Sequence, residues 1–202
     1  MSIQHYLALG DSYTIGEQAP IHENFPYKTI QLLRKAGLNI AAPEIVAKTG
    51  WTTDELSQGI DAQKLLPQYD WVSLLIGVNN QYRNRTVENY KPEFSKLLDH
   101  AIQFAGNRKE RVFVLSIPDW GVTPFAEGRD LNAIAGAIDA YNAAAKEICA
   151  SHDICFIDIT EQQRSHGADL EYLTEDKLHH SGKEYQGWAE KLTASILSVH
   201  NG

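Results

Sequence analysis

The sequence predicts an α/β protein, a three-layer α/β/α domain around a five-stranded, mainly parallel sheet. Short apolar runs at Tyr6–Ala8, Ile45–Ala47, Trp71–Ile76, Val112–Ile117 and Ile154–Ile159 read as strands buried on both faces. Longer stretches of helical period separate them, which is the pattern of successive βαβ units. Capping and turn residues fall where these stretches begin and end, and no repeat or linker interrupts the 202 residues, so residues 1–202 are expected to form one domain.

Each element has its own signal. After the first run, Gly10-Asp11-Ser12-Tyr13 leads into a helix over Phe25–Ala36, which stops at Gly37, a residue suited to the left-handed position beyond a helix end. The second run is followed by Thr49-Gly50-Trp51 and then by a helix whose opening residues, Thr52 and Glu55, have capping-box spacing; it ends before Pro67. The third run leads into Gly77-Val78-Asn79-Asn80 and a helix over about Val87–Phe104. The fourth leads into Pro118-Asp119-Trp120-Gly121 and an Ala-rich helix over Leu131–Ala150. A last helix starts at Ser181, with Glu184 at the third helical position, and runs to about Val199. Crossovers between parallel strands are right-handed and ligands lie beyond the carboxyl ends of the strands, so the loops after the strands are the expected working face.

Composition narrows the function classes. With 43% hydrophobic and 22% charged residues the chain is an ordinary globular one rather than a disordered one. A net charge of -8 without any Lys/Arg cluster argues against nucleic acid as a partner. No apolar run approaches the ~18 residues of a membrane span, and the N-terminus lacks the charged and apolar regions of a secretory signal, so a cytoplasmic protein is expected. Cys149 and Cys155 then read as reduced thiols. No sequence feature specifies an oligomeric state.

The working-face loops carry hydroxyl, imidazole, carboxylate and amide groups. Ser12, presented at the end of the first strand, can serve as nucleophile if a base removes its proton; the same block also fits a plain helix cap. Of eight histidines, His179 alone stands three residues after an aspartate, Asp176, just before a capped helix. A short turn there can bring the carboxylate to one imidazole nitrogen while the other faces Ser12, although Asp-x-x-His is also a common surface turn. His180 beside it suggests a metal ligand, but adjacent residues diverge and no set of Cys, His or carboxylate residues has ligand spacing, so no metal is expected. Gly50 and Asn79 stand where donors to an oxyanion are needed, and both are also natural turn residues.

Taken together, Gly10-Asp11-Ser12-Tyr13, Gly50, Gly77-Val78-Asn79-Asn80 and Asp176-Lys177-Leu178-His179 resemble, in order and over the whole chain, the four blocks of the SGNH hydrolases, also called GDSL lipases and esterases. The resemblance implies a flavodoxin-like sandwich, a catalytic Ser12-His179-Asp176 triad, and an oxyanion hole made of the Ser12 and Gly50 N–H groups and the Asn79 side chain. It implies no cofactor. Three positions depart from the family pattern: Tyr13 replaces leucine, Asn80 replaces the usual aspartate, and His180 replaces the usual proline.

The expected activity is hydrolysis of a small-molecule acyl ester through an acyl-serine. Lysophospholipase-like action, carbohydrate deacetylation, acyl transfer to an alcohol and a non-catalytic binding module are the alternatives. No long insertion separates the blocks to form a lid, so a shallow pocket and short acyl chains are expected. Tyr13, Trp51 and Trp120 are the candidate pocket walls, and Arg83 and Arg85 the candidate contacts to a polar or anionic alcohol half. The tryptophans also fit a core and the arginines a solvated face.

Overall fold

In the computed structural model, which describes residues 2–202, the five apolar runs form one sheet of strands β1 (Tyr6–Asp11), β2 (Glu44–Lys48), β3 (Trp71–Leu75), β4 (Val112–Leu115) and β5 (Cys155–Ile157). Their order is β2-β1-β3-β4-β5 and every pairing is parallel. Every residue of β1, β3 and β4 is buried, whereas the edge strands β2 and β5 are partly exposed. That is why the inner strands read as continuous apolar runs: a parallel sheet is covered on both faces, so no polar side alternates with an apolar one.

The helices are α1 (Ser12–Ile15), α2 (Phe25–Lys35), α3 (Thr53–Asp61), α4 (Val78–Tyr82), α5 (Val87–Phe104), α6 (Leu131–Ser151), α7 (Thr160–His166) and α8 (Gly182–His200). The sequence predicts five of them. The others, α1, α4 and α7, span 4, 5 and 7 residues, too few turns to display a helical period. The last strand is also shorter than its apolar run: the Asp158 carboxylate accepts hydrogen bonds from the Thr160 and Glu161 N–H groups at 2.8 and 3.2 Å, which turns the chain out of the sheet into α7.

Right-handed crossovers put α2, which connects β1 to β2, on one face, and α3, α5 and α6, which connect strands in the opposite direction, on the other. The contacts agree: α2 packs on α8, while α5 packs against both α3 and α6. The chain reverses its direction of travel across the sheet between β1 and β3, and ligand sites in open parallel sheets form beyond such a switch point. Gly10 lies at this junction. A Cβ there would meet the Thr14 hydroxyl at 2.0 Å and the Leu75 carbonyl of β3 at 2.5 Å, so only glycine lets α1 start so close to the neighbouring strand. Among the described residues no helix is long and apolar enough to cross a membrane.

Candidate active site

Residue 12 sits where β1 ends and α1 begins. The Asp11 carboxylate caps α1 by accepting from the Tyr13 N–H at 3.0 Å, and Gly16, left-handed at φ 71°, ends it after one turn. Ser12 is thus the first residue of a helical turn and is only 4% exposed, on the wall of a cavity of about 180 Å³.

His179 lines the same cavity, and its position follows from a local turn. One Asp176 oxygen accepts from the backbone N–H groups of Leu178 and His179 and from the Thr174 hydroxyl, each at 2.9 Å. Lys177 adopts φ 59° to close this turn. The other Asp176 oxygen is thereby left to meet Nδ1 of His179 at 2.6 Å. Desolvation pushes the Asp176 carboxyl upward, but the hydrogen bonds from the His179 ring, the two backbone N–H groups and Thr174 outweigh it and hold the pKa at about 2. An ionised carboxylate only accepts, so Nδ1 carries the hydrogen and the neutral ring keeps its lone pair on Nε2.

Across the switch point, Asn79 stands near the start of α4. Its Nδ2 donates to the Trp51 carbonyl at 3.0 Å and reaches the Asp11 carboxylate at 3.4 Å. Asp11 is fully buried, and desolvation raises its pKa to about 7 against the lowering contacts from Tyr13 and Asn79. Gly50 lies opposite at φ 82°, in the left-handed region that favours glycine, and it too lines the cavity.

The structure therefore brings Ser12, Gly50, Asn79 and His179 to one cavity, with Asp176 directly behind His179. Of the residues expected to form walls, Tyr13 and Trp120 line it as well. Trp51 and Arg83 do not. Trp51 lies over Gly59 of α3, where a Cβ would come within 2.1 Å of its ring, and Arg83 donates to the Gly50 carbonyl at 2.7 Å. Arg85 is paired with Asp54 at 2.5 Å and with Glu93 at 3.8 Å.

The rest of the wall, to which the sequence assigned no role, is Thr49 and the largely apolar Val78, Tyr82, Phe125 and Leu178. Tyr82, Trp120 and Phe125 form an aromatic group with centroids 5.2 to 6.5 Å apart, in which Tyr82 and Phe125 stay 44% and 39% exposed. The Trp120 indole is fixed by donating to Gln81 at 2.7 Å. Val78 and Leu178 stand within motif blocks and Tyr82 two residues beyond one, which is the signal that could have found them; Phe125 reaches the site because its N–H donates to the Lys177 carbonyl at 3.3 Å.

Each of the three departures from the family pattern has a place in the structure, Tyr13 on the cavity wall. Asn80 is fully buried, accepting from the Thr53 N–H at 3.1 Å and donating to the Thr53 hydroxyl at 2.6 Å, so it ties α4 to the start of α3. His180 points away from the cavity into an aromatic cluster. Among the described residues, no group of three or more His, Cys, Asp or Glu side chains is placed to hold a metal ion.

Comparison with known proteins gives a family match over most of the chain: residues 8–186 fit the model of the GDSL-like lipase/acylhydrolase family. No curated protein matches the sequence. Among solved structures, the lipase/acylhydrolase from Enterococcus faecalis is similar with a TM-score of 0.74 at 22% identity, over 97% of this chain and 96% of that one. The psychrotrophic esterase EstA from a Pseudoalteromonas species has a TM-score of 0.73 at 17% identity, over 98% of this chain and 100% of that one. An acetylxylan esterase from Geobacillus stearothermophilus has a TM-score of 0.69 at 17% identity, over 96% and 94% of the two chains. At such identities the likeness is one of fold.

Proposed function

The chain belongs to the GDSL-like lipase/acylhydrolase family and is an ester-hydrolysing enzyme; from that premise we propose that it cleaves short-chain acyl esters through an acyl-enzyme on Ser12, with residues 1–202 acting as one domain. The observation that carries the reading is the 2.6 Å contact of Asp176 with His179 on the wall of a cavity shared with Ser12 and Asn79.

In this mechanism Nε2 of His179 takes the Ser12 hydroxyl proton as Oγ attacks the ester carbonyl carbon. Asp176 keeps the ring in the required tautomer and stabilises the imidazolium. The carbonyl oxygen becomes an oxyanion held by the Ser12 and Gly50 N–H groups and by Nδ2 of Asn79, whose 3.4 Å contact to Asp11 is long enough for an oxyanion to displace it. Collapse breaks the bond to the alcohol, which leaves with the proton from His179. Water, deprotonated by the same ring, then attacks the acyl-serine and releases the acid and free Ser12.

Cavity size supports a small acyl group. About 180 Å³ is below the ~300 Å³ at which drug-sized ligand sites begin. Each methylene contributes about 0.8 kcal/mol only while an apolar wall covers it, so the gain from chain length should stop after a few carbons. The test is kcat/KM over p-nitrophenyl esters from acetyl to dodecanoyl, with a fluorophosphonate label mapped by peptide mass spectrometry. The proposal expects the highest values from acetyl to butyryl and one adduct, on Ser12. Rates that climb to the dodecanoyl ester would overturn the short-chain reading, and inactivation with the label elsewhere would overturn Ser12.

A further inference from the structure

We propose that Arg83 is a positioning residue for the oxyanion loop, a clamp that fixes the backbone of Gly50 from outside the cavity. The inference rests on the acyl-serine reading and assigns to Arg83 a role other than binding the alcohol half.

Gly50 needs such a restraint because its φ of 82° lies in a broad basin for a residue without a side chain, and the direction of its N–H turns with that angle. A Cβ at Gly50 would find only Nη2 of Arg83 within 4 Å, at 3.6 Å, so packing does not hold the residue. Hydrogen bonds hold this turn instead. The Trp51 N–H donates to the Lys48 carbonyl at 3.2 Å, Nδ2 of Asn79 donates to the Trp51 carbonyl at 3.0 Å, and Nη2 of Arg83 donates to the Gly50 carbonyl at 2.7 Å. The arginine contact is the shortest of these and the only one made by a charged donor.

Arg83 is delivered by the same element as Asn79. It is the C-terminal cap of α4, four residues after Asn79 and therefore one helical turn along the same face. α4 thus presents both the amide proposed to meet the oxyanion and the guanidinium that fixes the neighbouring backbone donor. The guanidinium is anchored in turn: Nη1 donates to one Glu55 oxygen at 3.2 Å, and the other Glu55 oxygen accepts from the Thr52 N–H at 2.9 Å in the capping box of α3. Two acceptors in different directions suit the rigid fork of arginine, and a lysine ammonium reproduces only part of that geometry. Arg83 is absent from the cavity lining, so it acts through Gly50 rather than on the substrate.

The experiment measures kcat, KM, melting temperature and Ki for a trifluoromethyl ketone, which forms a tetrahedral adduct, in Arg83→Met, Arg83→Lys and Glu55→Gln. A donor displaced by a fraction of an ångström should lower kcat of Arg83→Met roughly 10- to 100-fold and raise the ketone Ki by a similar factor, with KM changed less than about 2-fold. Arg83→Lys should recover part of the loss, and Glu55→Gln should show a smaller loss in the same direction. A rise in KM confined to esters with an anionic alcohol would make Arg83 a substrate contact and overturn the clamp. If Arg83→Met does not fold, a wild-type kcat in both folded variants, Arg83→Lys and Glu55→Gln, overturns it equally. A fluorophosphonate adduct on Ser12 together with an unchanged kcat in Arg83→Met overturns the clamp alone, whereas absence of that adduct in the wild-type protein overturns the acyl-serine reading and the clamp with it.

Discussion

The imidazole of His180 stacks on the ring of Tyr13, with centroids 5.3 Å apart and planes 27° from parallel, so the residue after His179 and the residue after Ser12 meet behind the cavity. Trp188 and Tyr185 close around the imidazole edge-on at 5.1 and 6.1 Å. The Tyr172 backbone is the one polar group that acts on the ring as a hydrogen-bond partner, and it lies outside good hydrogen-bond geometry with either nitrogen. Burial, then the neighbouring His179, lower the His180 pKa to about 3. The three-ring enclosure ties α1 and α8 to the Asp176–His179 turn through van der Waals contact and ring stacking.

This arrangement is expected to contribute to the loss of stability in acid. A histidine kept neutral in the fold but free to protonate when unfolded contributes stability that is intact above its ordinary pKa of ~6.5 and is lost as pH falls toward about 3. His180→Phe removes the titration and two buried nitrogens that make no well-aligned hydrogen bond. Thermal denaturation between pH 7 and pH 4 should show a shallower fall in Tm for the variant and a Tm at pH 7 no lower than wild type. An identical slope would assign the acid loss to other groups.

Glu184 works in the opposite direction. It is fully buried, accepts from the Trp188 indole at 2.7 Å and lies 2.8 Å from Nδ1 of His166, and desolvation raises its pKa to about 7. An acid with a raised folded pKa stabilises fully below its unfolded value and loses that contribution as pH rises through the folded one, here between ~4.5 and about 7. Glu184→Gln keeps an acceptor for Trp188 and should lessen the decline of Tm over that window. Asp11 shares the upward shift, so part of the decline should persist in the variant. A decline as steep as wild type would remove Glu184 as its source.

The Asn80 amide donates to the Thr53 hydroxyl, which in turn donates to Glu93. Asn80→Asp restores the residue usual in the family, yet here it puts a second carboxylate on a hydroxyl with one hydrogen to give and removes a buried donor. Leaving such a buried contact unmade costs about 1 to 3 kcal/mol, so urea denaturation at pH 7 should show that loss. A variant as stable as wild type would show that the loop readily accepts aspartate.

Asp176→Asn tests the proposed triad. The amide can hold the turn but presents either a donor or a neutral acceptor to Nδ1, so the ring loses its enforced tautomer. In another serine hydrolase this change lowers kcat about 10,000-fold with the geometry intact, and a drop of several decades is expected here with an unchanged circular dichroism spectrum. A near-normal kcat would take Asp176 out of the mechanism.

What could be read along the chain is what local interactions specify. The inner strands are legible because burial on both faces makes them apolar throughout. At α8 Ser181 caps the Lys183 N–H, whereas Glu184, expected to close a capping box, turns inward to accept from Trp188. The capping box of α3 joins Thr52 to Glu55 and the turn that seats His179 spans Asp176 to His179, each within a few residues. The same holds for Gly50, whose left-handed backbone glycine accommodates. Tertiary structure alone decided what faces what. The order of the strands puts Ser12 and Asn79 on either side of one switch point and brings His179, far away in sequence, to their cavity. Packing turned Trp51 onto Gly59, carried Phe125 to the wall and aimed Arg83 at a carbonyl 33 residues away. A side chain's residue type records the chemistry it offers, but its partner across the fold depends on sheet order and helix packing, which no short stretch of sequence encodes.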